Sequence, residues 1–175
     1  MENSNHRICG FAAGCYWGVE HAFKMLEGVL KTEVGFQGGH IENPSYKEVC
    51  QTDTGHAEVV RVTYDPEKIS LSRLLDAFFF MHDPTQLNKQ GPDVGSQYRS
   101  ALFPESPWDQ EDVAIIKEAI EKRRDQYSSP IVTTIEENQT FYSAEDSHQD
   151  YLVNNPGGYC HIGLDTFAKL KQGLF

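Results

Sequence analysis

The stretch VLKTEVGFQGGHIENPSYKEVCQTDTGHAEVVRVTYD (29–65) holds two strand patterns and little between them. VLKTEVGFQGG (29–39) ends in glycines. AEVVRVTYD (57–65) alternates well enough for a strand, and DPEKI turns the chain after it. Only a short helical turn, YKEV, separates the two. Neighbouring strands with no long helix between them favour an antiparallel pair over a parallel crossover.

Working outward, RICGFAA (7–13) reads as a short buried strand. YWGVEHAFKML (16–26) sets Val19, Ala22, Phe23 and Leu26 at helical spacing, and Gly28 stops it. SLSRLLDAFFFMH (70–82) has Ser70 as a cap and Leu71, Leu74, Leu75, Phe78 and Phe79 on one face. DPTQLNKQGPDVGSQYR (83–99) is polar, glycine-rich and too long for a bare turn, which points to function. QYRSALF and IVTTIE (131–136) read as strands. SPWDQEDVAIIKEAIEKRRDQY (106–127) reads as a helix with Ser106 as cap and Pro107 in the first turn. AEDSHQDYLVNN reads as a short helix stopped at Pro156. The order predicts an α+β fold: a two-layer split βαβ (ferredoxin-like) plait with extra helices. The expectation is a single domain over 1–175, with a long irregular C-terminal tail over about 155–175. A doubly wound parallel sheet is the alternative.

Asp and Glu outnumber Lys and Arg by 26 to 15, a net charge of −11, which disfavours nucleic acid and anionic membranes as partners. The N-terminal MENSNHRICGF has no basic region followed by an apolar run, and no window is apolar enough for a membrane span. The expected place is cytoplasmic, and the expected state a monomer. The cysteines are Cys9, Cys15, Cys50 and Cys160. Without an export signal they read as reduced or catalytic thiols, and their spacing with histidine does not suggest a structural zinc site.

Cys15 follows a strand and opens a helix, and it is either a small buried residue filling that junction or a nucleophile whose thiolate the free amides and the helix dipole favour. Gly14 allows a tight turn, and Gly18 leaves room for a substrate. Tyr16 and Trp17 wall an apolar slot or fill the core. Glu58 is either an exposed strand-end residue or a carboxyl held protonated among apolar neighbours, suited to a general acid. Asp93 and Tyr98 in the polar loop and Tyr46 in PSYKEVC offer further polar groups, although each alone reads as an ordinary surface or half-buried residue. Cys160, in the glycine-rich NNPGGYCHIG, is placed to swing toward another sulfur and capture a sulfenic acid. His56, His82 and His148 read as capping or packing residues.

GCYWG (14–18), YKEVCQTDTGHAEVVRVTYDP (46–66), HDPTQLNKQGPDVGSQYRS (82–100), AEDSHQDYL (144–152) and NPGGYC (155–160) occur together and in order. In these motifs the chain resembles the A-type peptide methionine sulfoxide reductases. The resemblance implies reduction of the S epimer of methionine sulfoxide, free or in proteins, as repair of oxidative damage. It implies Cys15 as the attacking thiolate, Glu58 as the acid, and Tyr46 and Tyr98 as donors to the sulfoxide oxygen. Asp93 would orient the polar side, and Tyr16 and Trp17 would hold the S-methyl group. Cys160 would close a disulfide that thioredoxin or another dithiol reopens, with no metal or organic cofactor. The family usually has phenylalanine where this chain has Tyr16, whose hydroxyl must find a partner or face water. A thiol peroxidase and a non-catalytic sulfoxide-binding module are the competing readings. The first lacks a use for an acid beside an apolar slot, and the second has no need of a resolving thiol.

Overall fold

The computed structural model describes residues 5–175; the start of the N-terminal stretch read for a leader lies outside the described residues. The strands are β1 (Arg7–Ala13), β2 (Val29–Gln37), β3 (Ala57–Tyr64), β4 (Lys89–Gln90), β5 (Asp93–Val94), β6 (Ser100–Pro104), β7 (Thr134–Ile135) and β8 (Tyr142–Ser143). The helices are α1 (Tyr16–Lys24), α2 (Tyr46–Gln51), α3 (Leu71–Met81), α4 (Asp109–Glu121), α5 (Tyr151–Asn154) and α6 (Leu164–Gln172). Six strands form one sheet in the order β7-β6-β1-β3-β2-β8, and β4 and β5 form a separate hairpin.

The 29–65 stretch pairs as its pattern predicts. β2 and β3 run antiparallel, with Phe36 opposite Glu58 and Gln37 opposite Ala57. β1 lies between β3 and β6, antiparallel to both. Among the described residues only β7 joins in parallel, so the sheet is mixed and the fold is α+β. β1 has both faces covered. Phe11 points into the main core beneath α1 and α3, with its ring centroid 4.6 Å from Phe23 and 5.9 Å from Phe78. Ala12 points the other way, into a thin second cluster with Ala57, Val59, Ala101 and Phe103, against which Phe141 packs. Losing the Phe11 ring would leave a cavity costing about 3–5 kcal/mol.

Ser70 caps α3 as expected, accepting the Arg73 N–H at 3.1 Å. α4 is shorter than predicted: it begins at Asp109 with Trp108 at the cap, and a separate 3-10 turn, Arg124–Gln126, follows it. The short helix expected over AEDSHQDYLVNN is a 3-10 turn, Asp146–His148, and then α5, broken by Asp150 in the left-handed region. The C-terminus departs furthest. The expected irregular tail carries the nine-residue α6. Phe167 and Leu170, one turn apart, are buried, Asp165 lies in the first turn, and Lys169 and Lys171 lie in the last. Gly173 then ends the helix at φ 75°. No described helix is long and apolar enough to cross a membrane.

Candidate active site

The site is built at the β1–α1 junction. Gly14, at φ 97°, turns the chain out of β1 in a conformation that favours glycine. Cys15 occupies the cap position of α1 and is 6% exposed. Its sulfur caps nothing. The expected fall in its pKa is not what the structure gives. Burial pushes the thiol above its ordinary range and the Glu58 charge pushes it further, while the Trp17 N–H draws it back. The helix start does favour the thiolate, but desolvation outweighs it. A proton on Glu58 removes the second of the two opposing effects.

Glu58 is the second residue of β3, on the same strand face as Val60 and Val62, which lie in the main core. It is 1% exposed, so it is not a strand-end surface residue. Oε1 accepts the backbone N–H of Tyr16 at 3.1 Å, and Oε2 has no partner. Burial raises its pKa to about 8, against the pull of the Tyr16 hydrogen bond, and the Asp93 charge adds to the rise. The carboxyl is therefore neutral at pH 7.

Aromatic rings surround this pair. Ser45 and Glu48 form a reciprocal capping box that fixes Tyr46 at the first position of α2. The Tyr46 ring lies 6.2 Å from Tyr16 and 6.3 Å from Trp17, stacked on both. Trp17 stacks on Tyr151 at 3.8 Å, and its indole N–H donates to His148 Nδ1 at 3.2 Å. Tyr16 is fully buried, and its hydroxyl has no partner. It backs the aromatic wall, while the half-buried Trp17 faces outward. Tyr98 ends a 3-10 turn in the glycine-rich loop. Burial and the Glu58 charge raise the pKa of both Tyr46 and Tyr98, so both stay protonated donors. Asp93 accepts the Tyr159 hydroxyl at 2.9 Å.

The C-terminal segment crosses the same helix. A Cβ on Gly18 would stand 2.6 Å from Cys160 Sγ. The space at Gly18 thus admits Cys160, not a substrate as the sequence suggested. The Cys160 sulfur accepts the Ile162 N–H at 3.3 Å, and burial raises its pKa. Cys15 and Cys160 are both free thiols. Cys50 is exposed, with the hydroxyls of Tyr46 and Tyr98 approaching its sulfur.

Cys15, Tyr16 and Trp17 at the start of α1 thus meet Glu58, Tyr46 and Cys160 from other parts of the chain. Sequence reasoning missed His148 and Tyr151, which complete the wall around Trp17. It read His148 as a packing residue because nothing local shows that segment 142–151 docks on β2. The half-buried Gln149 docks it on β2, and the buried Glu20 of α1 holds its end. The Gln149 side chain exchanges hydrogen bonds with the Val34 backbone at 2.8 and 2.9 Å. Glu20 accepts the Asp150 N–H at 2.8 Å. His56 and His82 do act as packing and capping groups. His56 Nδ1 accepts the Gly39 N–H at 3.0 Å, and His82 bonds Phe78 O at 2.6 Å and the Ser100 hydroxyl at 2.8 Å. Among the described residues no group of three or more His, Cys, Asp or Glu is placed to hold a metal ion.

A family model described as peptide methionine sulfoxide reductase matches residues 7–173. A mitochondrial peptide methionine sulfoxide reductase of Mus musculus is 53% identical over 154 residues, covering 87% of this chain and 66% of its own length. A peptide methionine sulfoxide reductase MsrA of Methanothermobacter thermautotrophicus is 50% identical over 164 residues, covering 91% of this chain and 94% of that one. Among solved structures, reduced Mxr1 from Saccharomyces cerevisiae superposes with a TM-score of 0.83 at 39% identity, covering 93% of this chain and 94% of the other. Mxr1 in complex with Trx2 superposes at 0.57 with 29% identity, covering 86% and 87%. With a family model matched from β1 to the end of α6, and relatives half identical over most of its length, the chain belongs to the peptide methionine sulfoxide reductase family.

Proposed function

We propose that the protein reduces methionine-S-sulfoxide, free or within proteins, by thiol chemistry at Cys15. The observation that carries this reading is the buried Glu58 carboxyl. One oxygen is held by the amide that follows Cys15, and the other is unpartnered. A neutral acid in that position can donate to an oxygen brought against Cys15. Tyr46 and Tyr98 supply two more hydroxyl donors on the same side. Trp17, backed by Tyr16, takes the S-methyl group. An apolar wall on one side and oxygen donors on the other fix the handedness at sulfur. Burial keeps Glu58 protonated, and the Asp93 charge adds to that effect.

The Cys15 thiolate attacks the sulfoxide sulfur, and the oxygen takes the Glu58 proton. The S–O bond breaks, methionine leaves, and the oxygen ends on Cys15 as a sulfenic acid. The proton that Cys15 gave up returns to Glu58. Cys160 then attacks the Cys15 sulfur: the disulfide forms and the oxygen departs as water with the Cys160 proton. A thioredoxin-type dithiol reopens the disulfide by exchange. The solved complex of Mxr1, a similar protein, with Trx2 supports that choice of reductant. No metal or organic cofactor enters any step. Such chemistry suits the cytoplasm, where dithiol reductants keep thiols reduced.

We read residues 1–175 as one catalytic domain on a split βαβ plait. The chain order β1-α1-β2-β3-α3-β6, with β3 between β1 and β2 and β6 on the far side of β1, supports this.

The test is a single turnover on the separate S and R sulfoxides without reductant. Wild-type protein should yield one methionine per chain from the S epimer only, with a Cys15–Cys160 disulfide. Cys15→Ser should yield none. Methionine formation by Cys15→Ser would overturn the assignment.

A further inference from the structure

Residues on both sides of Cys160 are tied to the catalytic end of the molecule. On one side the Tyr159 hydroxyl donates to Asp93, but Tyr159 is 45% exposed, so water competes for that bond. On the other side His161 Nε2 lies 2.9 Å from the carbonyl oxygen of Ala13, the last residue of β1 and two before Cys15. A carbonyl oxygen only accepts, so Nε2 carries the hydrogen and donates. Nδ1 is then the bare nitrogen, and it is buried without a partner. Burial lowers the pKa of the ring, which keeps it in this neutral form.

The two glycines of GCYWG make this seat possible. A Cβ on Gly14 would stand 3.0 Å from His161 Nε2, and one on Gly18 would stand 2.6 Å from Cys160 Sγ and 3.7 Å from His161 Cε1. Gly14 precedes the cap of α1 and Gly18 lies in its first turn, so residues 160 and 161 lie against bare backbone on both sides of Cys15. We infer that His161 is a positioning residue for recycling: its hydrogen bond to Ala13 holds Cys160 against Gly18, ready for a sulfenic acid on Cys15. This rests on the reading of Cys160 as the resolving thiol. The step it serves joins Sγ of Cys160 to Sγ of Cys15 while the S–O bond breaks and water leaves. Without the tether, the segment has to find that pose from many others at an entropic cost.

The experiment separates the two chemical steps. Wild type, His161→Leu, His161→Gln and Cys160→Ser are mixed with one equivalent of methionine-S-sulfoxide without reductant. Methionine release, thiol loss and dimedone capture of the Cys15 sulfenic acid are followed in time. In His161→Leu, methionine release should keep its wild-type rate, disulfide closure should slow roughly tenfold, the scale of one hydrogen bond, and dimedone capture should rise. In His161→Gln the side-chain amide reaches the same carbonyl, and closure should recover to near the wild-type rate. Closure at the wild-type rate in His161→Leu would overturn the inference. So would a Gln variant as slow as the Leu variant, or an equal slowing of both steps. Cys160→Ser should stop at the sulfenic acid; if it still closes a disulfide, the resolving-thiol reading itself fails.

Discussion

The backbone N–H of Tyr16 donates to Glu58 Oε1 at 3.1 Å, which fixes a buried carboxyl next to the Cys15 thiol. The bond joins the first helical residue of α1 to the second residue of β3. The acid and the nucleophile are therefore positioned by packed elements, not by a loop. Glu58→Gln keeps a polar group of the same shape and loses the transferable proton. Methionine release in a single turnover should slow by roughly 10²–10⁴-fold, the usual contribution of a general acid. An unchanged rate would remove Glu58 from the chemistry.

The same residue makes stability depend on pH. Its folded-state pKa, about 8, lies above its ordinary value of 4.5. The folded state then binds more protons than the unfolded state between those values, so stability falls as pH rises through that window. Glu58→Gln should be more stable than wild type at pH 9, and the difference should shrink toward pH 5. Urea unfolding at the two pH values measures this, and a constant difference would contradict it.

Asp112 is a second buried carboxyl, away from the site. It lies fully buried at the start of α4, and both its carboxyl oxygens lack partners. Burial raises its pKa from 3.8 to about 6, against the attraction of Arg7. It therefore costs stability as pH rises from about 4 to 6 and above. Asp112→Asn should stabilise the protein at pH 7 by about 1 kcal/mol, allowing for screening, with no effect on turnover. A loss of stability would show that the charge is satisfied.

Tyr16→Phe removes a buried hydroxyl that has no partner. An unpaired buried hydroxyl costs on the order of 1–3 kcal/mol, so the variant should melt higher. Its single-turnover rate should change little, because Trp17 faces the substrate. A lower melting temperature would show that the hydroxyl is bonded.

Gly18→Ala tests the close approach of Cys160. Alanine is about 1 kcal/mol better than glycine inside a helix, so the helix itself gains. The added Cβ would stand 2.6 Å from Cys160 Sγ and must displace it. Disulfide closure should slow while methionine release does not. Closure at the wild-type rate would mean that Cys160 resolves from another position.

Much of this is legible in the chain. The 29–65 pattern dictates the antiparallel β2–β3 pair, and the spacing of Leu71, Leu74, Leu75 and Phe78 dictates α3. Cys15, Glu58 and Cys160 carry chemical signals of their own, sharpened by the order of the motifs. Other features depend on contacts distant in sequence. β7 and β8 are two residues each and exist because β6 and β2 offer open edges. His148 and Tyr151 reach Trp17 only once Gln149 and Glu20 pin their segment. The thiol pKa runs against the sequence expectation because local sequence shows the helix start but not the depth of burial. α6 escapes the sequence reading, although Phe167 and Leu170 are in plain view, because the glycine-rich run before it dominates the pattern.

The most direct test of the central claim is the ionisation of Glu58 itself. Infrared difference spectra between wild type and Glu58→Gln, taken across pH, should show a protonated carboxyl band at pH 7 that disappears with a midpoint near 8. A carboxylate at pH 7, titrating near 4.5, would leave the Cys15 site without its acid and would contradict the account.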